Sequence, residues 1–253
     1  MEARTCNSAA EISAGEHQPE APLKFADGLR AGIPIAVGYV PIAIAFGLLA
    51  KSAEIPNYIT ILMSLVVFAG ASQFVGVTMM ASGVTPWEIV LTTFIVNLRH
   101  LLMSASISRR IEQGRLRRWM PALAFGITDE TFSVASFRKE PLLSPQFVMA
   151  LNFLAFAAWN AGTWAGIFLA GELPAVIRDS MGIALYAMFI GLLVPSLRDS
   201  KPVLAVSLVA VGVHSIIGWI PFFSGLSAGW GIIISTLAAA MAGAVIFTGE
   251  AEQ

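Results

Sequence analysis

The sequence predicts an all-α, polytopic integral membrane protein, and three observations carry that expectation. Of 253 residues, 57% are hydrophobic and only 12% are charged, about half the charged share of a soluble domain. The mean hydropathy is +0.76. The charges are also unevenly placed: none occurs from Ala31 to Ala50, from Tyr58 to Trp87, from Phe147 to Gly171 or from Pro202 to Gly249. A helix needs about 20 apolar residues to cross a hydrocarbon core of about 30 Å, and several of these stretches supply them. Such a chain is too apolar to be disordered and unlike a soluble enzyme. A net charge of −1 offers no basic field to a nucleic acid.

The chain opens on a polar stretch, residues 1–24, carrying Glu2, Arg4, Glu11, Glu16, Glu20 and Lys24. It has no apolar run of the kind a signal peptide needs, so it is expected to be a disordered cytoplasmic tail. Cys6, the one cysteine, has no internal disulfide partner. Residues 25–249 are expected to form a single transmembrane transporter domain with about eight hydrophobic segments: Ile33–Ala50, Ile59–Ala81, Ile89–Ile107, Met120–Phe137, Phe147–Ala170, Met181–Leu197, Val203–Ile220 and Gly229–Phe247.

Segment one holds Pro34, Gly38, Pro41 and Gly47, which predict a kinked helix. Segments two and four hold small or polar runs, Gly70-Ala71-Ser72-Gln73 and Gly126-Ile127-Thr128-Asp129-Glu130-Thr131, and both are expected to be broken or re-entrant. Segment five carries the small-residue pair Gly162 and Gly166, extended by Ala170; it permits close helix approach, within the chain or toward a partner. His214 in segment seven reads as a packing residue. Pro221, Gly225 and Gly229 mark the turn between the last two segments.

Positive charge supports the breaks. Basic residues concentrate on the cytoplasmic side. Eight simple spans with a cytoplasmic N-terminus would put Arg109, Arg110, Arg115, Arg117 and Arg118 outside. If segments two and four return to the side they entered, those arginines fall inside with Lys24, Arg30, Arg138, Lys139, Arg198 and Lys201, leaving only Lys51 and Arg178 outside. Both termini are cytoplasmic on either scheme. Two continuous helices with a tolerated arginine loop remain the alternative.

Candidate functional residues are the polar groups at membrane depth. Arg99, within Asn97-Leu98-Arg99-His100, costs about 2.5–3.5 kcal/mol to insert at a helix centre. It therefore needs a cavity and a partner, and Asp129 or Glu130 can supply one; a purely structural ion pair is the plainer alternative. Asn97 and His100, three residues apart, are expected on one helix face and Arg99 on another. Gly70, Ala71 and Ser72 expose backbone, and Gln73 offers a donor and an acceptor suited to an α-amino or α-carboxylate group or to another helix. Asn152, Phe156 and Asn160 recur at helical spacing beside Trp159, as cavity lining or as interhelical bonds. The substrate-binding candidates are thus Gly70, Ala71, Ser72, Gln73, Asn97, Arg99, Asn152 and Asn160, with apolar contacts from Phe68, Phe74, Met103 and Phe132. The proton-coupling candidates are Asp129, Glu130 and His100. No phosphate-binding loop, metal-protease motif or nucleophile elbow occurs in the sequence, so neither a nucleotide nor another cofactor is expected. A passive channel and a non-transporting scaffold are the competing functional classes.

The joint set Phe25-x-x-Gly28-Leu29-Arg30-x-Gly32, Phe68-Ala69-Gly70-Ala71-Ser72-Gln73-Phe74, Asn97-Leu98-Arg99-His100 followed by Met103, and Thr128-Asp129-Glu130 resembles the AzlC family over about Phe25 to Thr248. That resemblance implies the large subunit of a bacterial branched-chain amino acid permease in the cytoplasmic (inner) membrane. It implies export of valine, leucine and isoleucine, in some members methionine, driven by the proton gradient. It also implies a small membrane partner of the AzlD type.

Overall fold

The computed structural model describes residues 23–111, 117–169, 200–223 and 225–247, with isolated positions between 174 and 198. Residues 1–22, Arg115, Ala170, Arg178 and most of segment six lie outside the described residues. The described helices are α1 (Phe25–Ser52), α2 (Asn57–Val66), α3 (Gly70–Ala81), α4 (Pro86–Ser108), α5 (Met120–Phe125), α6 (Asp129–Ser136), α7 (Pro145–Leu169), α8 (Lys201–Trp219) and α9 (Ala228–Ile246). Among the described residues, α1, α4, α8 and the Gly229–Ile246 stretch of α9 are long and apolar enough to cross a membrane. That is fewer than the eight hydrophobic segments, in part because segments two and four are each split, into α2 with α3 and α5 with α6.

α1 and α7 form the centre. Gly28 lies against Phe147 and Ala150, Gly32 against Leu151 and Leu154, and Gly47 against Thr163 and Gly166. Contact numbers rise together, so the two helices run parallel. Glycines let them meet backbone to backbone: a Cβ on Gly162 would lie 2.8 Å from the Val40 carbonyl oxygen, and one on Gly166 would strike that of Ile44. The Gly162/Gly166 stripe is therefore filled by α1 and is not a vacant docking face. Pro34 and Pro41 sit on the exposed side of α1, which stays helical over its 28 residues, so the expected kink does not break it.

The remaining directions follow from similar contacts. The end of α4 meets the start of α7, where Leu143 donates its backbone N–H to the Arg110 carbonyl at 2.6 Å. The start of α4 lies at the opposite end, with Glu88 and Thr92 against Gly229 of α9. α4 therefore runs antiparallel to α1. α2 descends from the end of α1 to Phe68, which meets Tyr39 in mid-α1. α3 climbs back from Gly70 beside Trp159 to Phe74 beside Phe46 and on to the start of α4. α5 and α6 do the same from the other end, reaching Thr128 at the level of Tyr39 and returning to Arg110. Both broken segments are thus re-entrant hairpins, inserted from opposite ends with their tips meeting halfway.

This arrangement sorts the charge as the basic-residue pattern requires. Arg30, Arg110, Arg138, Lys139 and Lys201 gather at the end where α1 begins, with Lys51 at the other. No residue of α8 is buried in the protein, and Phe94, Leu101 and Leu102 of α4 are exposed. These are the side chains a lipid phase would cover.

Candidate functional site

At each hairpin tip a buried amide side chain donates to backbone carbonyls where the helix ends. At the tip between α2 and α3, buried Gln73 donates Nε2 to the carbonyls of Met63 at 2.9 Å and Val67 at 2.5 Å. Its Oε1 accepts the indole N–H of Trp159 at 2.8 Å. Gly70 makes room for that indole, since a Cβ there would lie 2.7 Å from the ring. At the tip between α5 and α6, Asn152 donates Nδ2 to the Leu123 carbonyl at 2.9 Å. Thr128 caps α6: it accepts the Thr131 N–H at 3.3 Å, and its own N–H is bonded to Thr131 Oγ1 at 2.8 Å, a reciprocal box. Phe68 and Phe125, one from each hairpin, face each other at 6.4 Å.

Between the tips lies a cleft with about 370 Å³ of empty space, counting its open mouth. It is narrow, with gaps of water size, and holds no room for an amino acid in this conformation. The N-termini of α3 and α6 both open onto it through Gly70, Ala71, Thr128 and Asp129. A helix N-terminus carries partial positive charge and unpaired N–H groups, and such half-helix ends build substrate sites in transporters. The two ends differ. The first turn of α3 has neither a side-chain cap nor an acidic residue. That of α6 carries Asp129, Glu130 and the Thr128 cap. The cleft therefore has an anion-accepting pole and a cation-accepting pole.

Arg99 and His100 of α4 border the same cleft. Arg99 Nη1 lies 2.8 Å from Asp129 Oδ2, with both side chains about one-third exposed, and the buried Arg99 Nε has no partner. Arg99 and His100 border the cleft, while the Asn97 side chain accepts the Ser72 hydroxyl of α3 at 2.5 Å. Glu130 Oε2 is bonded instead to the phenol of Tyr39, which also lies 2.7 Å from Thr128 Oγ1.

The structure thus brings Gly70, Ala71, Arg99, His100, Asp129 and Glu130 together. Ser72 and Asn97 stand one layer behind. Gln73, Asn152 and Asn160 do not line the cleft: the first two bind hairpin carbonyls, and Asn160 donates to the Phe156 carbonyl at 2.9 Å. Phe68 is a wall, whereas Phe74 packs on Phe46. Tyr39 was not among the residues picked from sequence. The signal was present, since a tyrosine inside an uncharged span needs a partner for its hydroxyl.

Comparison with known proteins decides the family. The family model described as AzlC protein matches residues 34–173. This chain belongs to the AzlC family. Among its relatives, the inner membrane protein YgaZ of Escherichia coli is 35% identical over 74% of this chain and 79% of its own. An uncharacterized membrane protein of Archaeoglobus fulgidus is 32% identical over 75% of this chain and 84% of its own. The branched-chain amino acid transport protein AzlC of Bacillus subtilis is 26% identical over 73% of each chain. No solved structure matches. The AzlC match spans α1 to the end of α7, so both hairpins and every cleft residue lie within it. The chain is a multi-pass membrane protein of a membrane transport family.

Proposed function

We propose that this chain is the substrate-carrying subunit of a secondary transporter that exports valine, leucine, isoleucine and methionine across the bacterial inner membrane. In this reading transport is coupled to protons, both termini are cytoplasmic, and a small AzlD-type subunit completes the complex. The observation that carries the proposal is the two-poled cleft at the meeting of the hairpin tips.

An amino acid zwitterion matches that polarity. Its carboxylate would sit at the start of α3, on the backbone of Gly70 and Ala71, beside the Arg99 guanidinium. Its ammonium would sit at the start of α6, on Asp129 or Glu130. The aliphatic side chain would lie on the aromatic wall of Phe68 and Trp159. Burying one such side chain contributes about 1.5–3 kcal/mol, enough to favour valine over alanine but not to sort leucine from isoleucine. Because the cleft fits water in this conformation, the hairpin tips must part to admit substrate, which is what alternating access requires. Asp129, Glu130 and His100 are the titratable groups positioned to couple that movement to a proton.

Counterflow of labelled valine in proteoliposomes, with and without the small subunit, tests the reading. Valine exchange competed by leucine and methionine but not by alanine is expected. No valine flux with either preparation would overturn it.

A further inference from the structure

Resting on that reading of the cleft, we infer that Tyr39 is a positioning residue that occupies the ammonium subsite on Glu130 until substrate displaces it. Arg99 is bonded to Asp129, so the two acids at the start of α6 are differently engaged. Glu130 is bonded to a neutral phenol, that of Tyr39. The same hydroxyl touches Thr128, the cap of α6. The Tyr39 ring stands edge-on to Trp159 at 5.3 Å and to Phe68 at 6.3 Å, so one side chain of α1 joins the aromatic wall to the acidic pole. Tyr39 is 5% exposed and lines the cleft.

The exchange requires no proton transfer. The phenol–carboxylate hydrogen bond breaks, an ammonium N–H takes its place on Glu130, and the phenol keeps its hydrogen. Hydrogen bonds to ionised groups are stronger when the donor is also charged, so an ammonium outcompetes the phenol and a neutral group does not. The charged and titratable groups facing Tyr39 and Glu130 are Asp129 of α6 and Arg99 and His100 of α4.

Tyr39→Phe keeps the ring and removes the competitor. In the full-length chain, leucine counterflow should then show a KM lowered about tenfold, the scale of one hydrogen bond to a charged group, with a lower kcat. Tyr39→Phe with wild-type KM would overturn the inference while leaving the transporter reading intact; absence of leucine flux in the wild type would overturn the transporter reading itself. A second measurement does not depend on that variant folding. The chain has three tyrosines, so 3-fluorotyrosine in a Tyr58→Phe, Tyr186→Phe background labels Tyr39 alone. Saturating leucine should shift its fluorine resonance and 4-methylpentanoate, which lacks the ammonium, should not. A resonance unmoved by leucine, or moved equally by both, would sink the idea.

Discussion

Arg99 Nη1 and Asp129 Oδ2 are 2.8 Å apart, and this contact fastens mid-α4 to the first residue of α6. Asp129→Asn removes the charge that balances Arg99 and leaves a cation in a site where charge is costly. Gradient-driven export in vesicles should fall by about tenfold or more, on the order of 1.4 kcal/mol. Arg99→Lys keeps the charge but loses the planar fork, and should fall between that variant and the wild type. Full activity in Asp129→Asn would remove this carboxylate from the coupling scheme.

Gln73 braces the tip between α2 and α3 without lining the cleft. Gln73→Leu orphans the Trp159 indole N–H and takes one of two donors from the carbonyls of Met63 and Val67, which keep the N–H groups of Val67 and Ala69. An unmet buried donor costs about 1–3 kcal/mol. The detergent-solubilised variant should melt at clearly lower temperature, while the fraction that survives should rank valine, leucine and methionine in counterflow as the wild type does. An altered ranking would place Gln73 on the substrate.

The parallel contact of α1 with α7 leaves no room for a methyl group at Gly166, where the Ile44 backbone is in the way. Gly166→Ala should destabilise by about 1–3 kcal/mol through overpacking. Gly38, where an added Cβ meets nothing within 4 Å, provides the control: Gly38→Ala should be neutral or slightly stabilising. Thermal unfolding of the two variants side by side gives the comparison.

Arg110 anchors the hairpin of α5 and α6. It donates to the carbonyls of Ser136 and Arg138 at 2.8 Å each, Glu140 at 2.7 Å and Ala135 at 3.3 Å, neutralising the end of α6 where a cation is favoured. Arg110→Met should increase amide exchange across residues 135–143 and leave the Gly70 region unchanged. Uniform exchange over both regions would show that the hairpins do not move separately.

The helices were legible because their signals are local. Charge-free runs of span length located α1, α7, α8 and α9, and the small or polar runs at Gly70 and Gly126 located both breaks. The re-entrant course was legible indirectly, through where Arg110 and Arg138 had to lie. The cleft was only half legible. Arg99 and Asp129 declare themselves because charge is rare in an apolar span. Tyr39 does not, since its role depends on a contact with Glu130 across 91 positions. Gln73 and Asn152 were read as lining because polarity in a span signals either function or the repair of a broken helix. Which of the two applies is decided by the neighbouring carbonyls, and those positions are set by tertiary packing.

The helices α1, α2 and α3 repeat a pattern that α4, α5 and α6 follow upside down: one long helix, then a hairpin that enters and leaves by the same face. The two triplets run in opposite directions, so one hairpin approaches the cleft from each end of the molecule. The cleft therefore lies where two oppositely directed hairpins meet, and each end of the molecule reaches it through one of them.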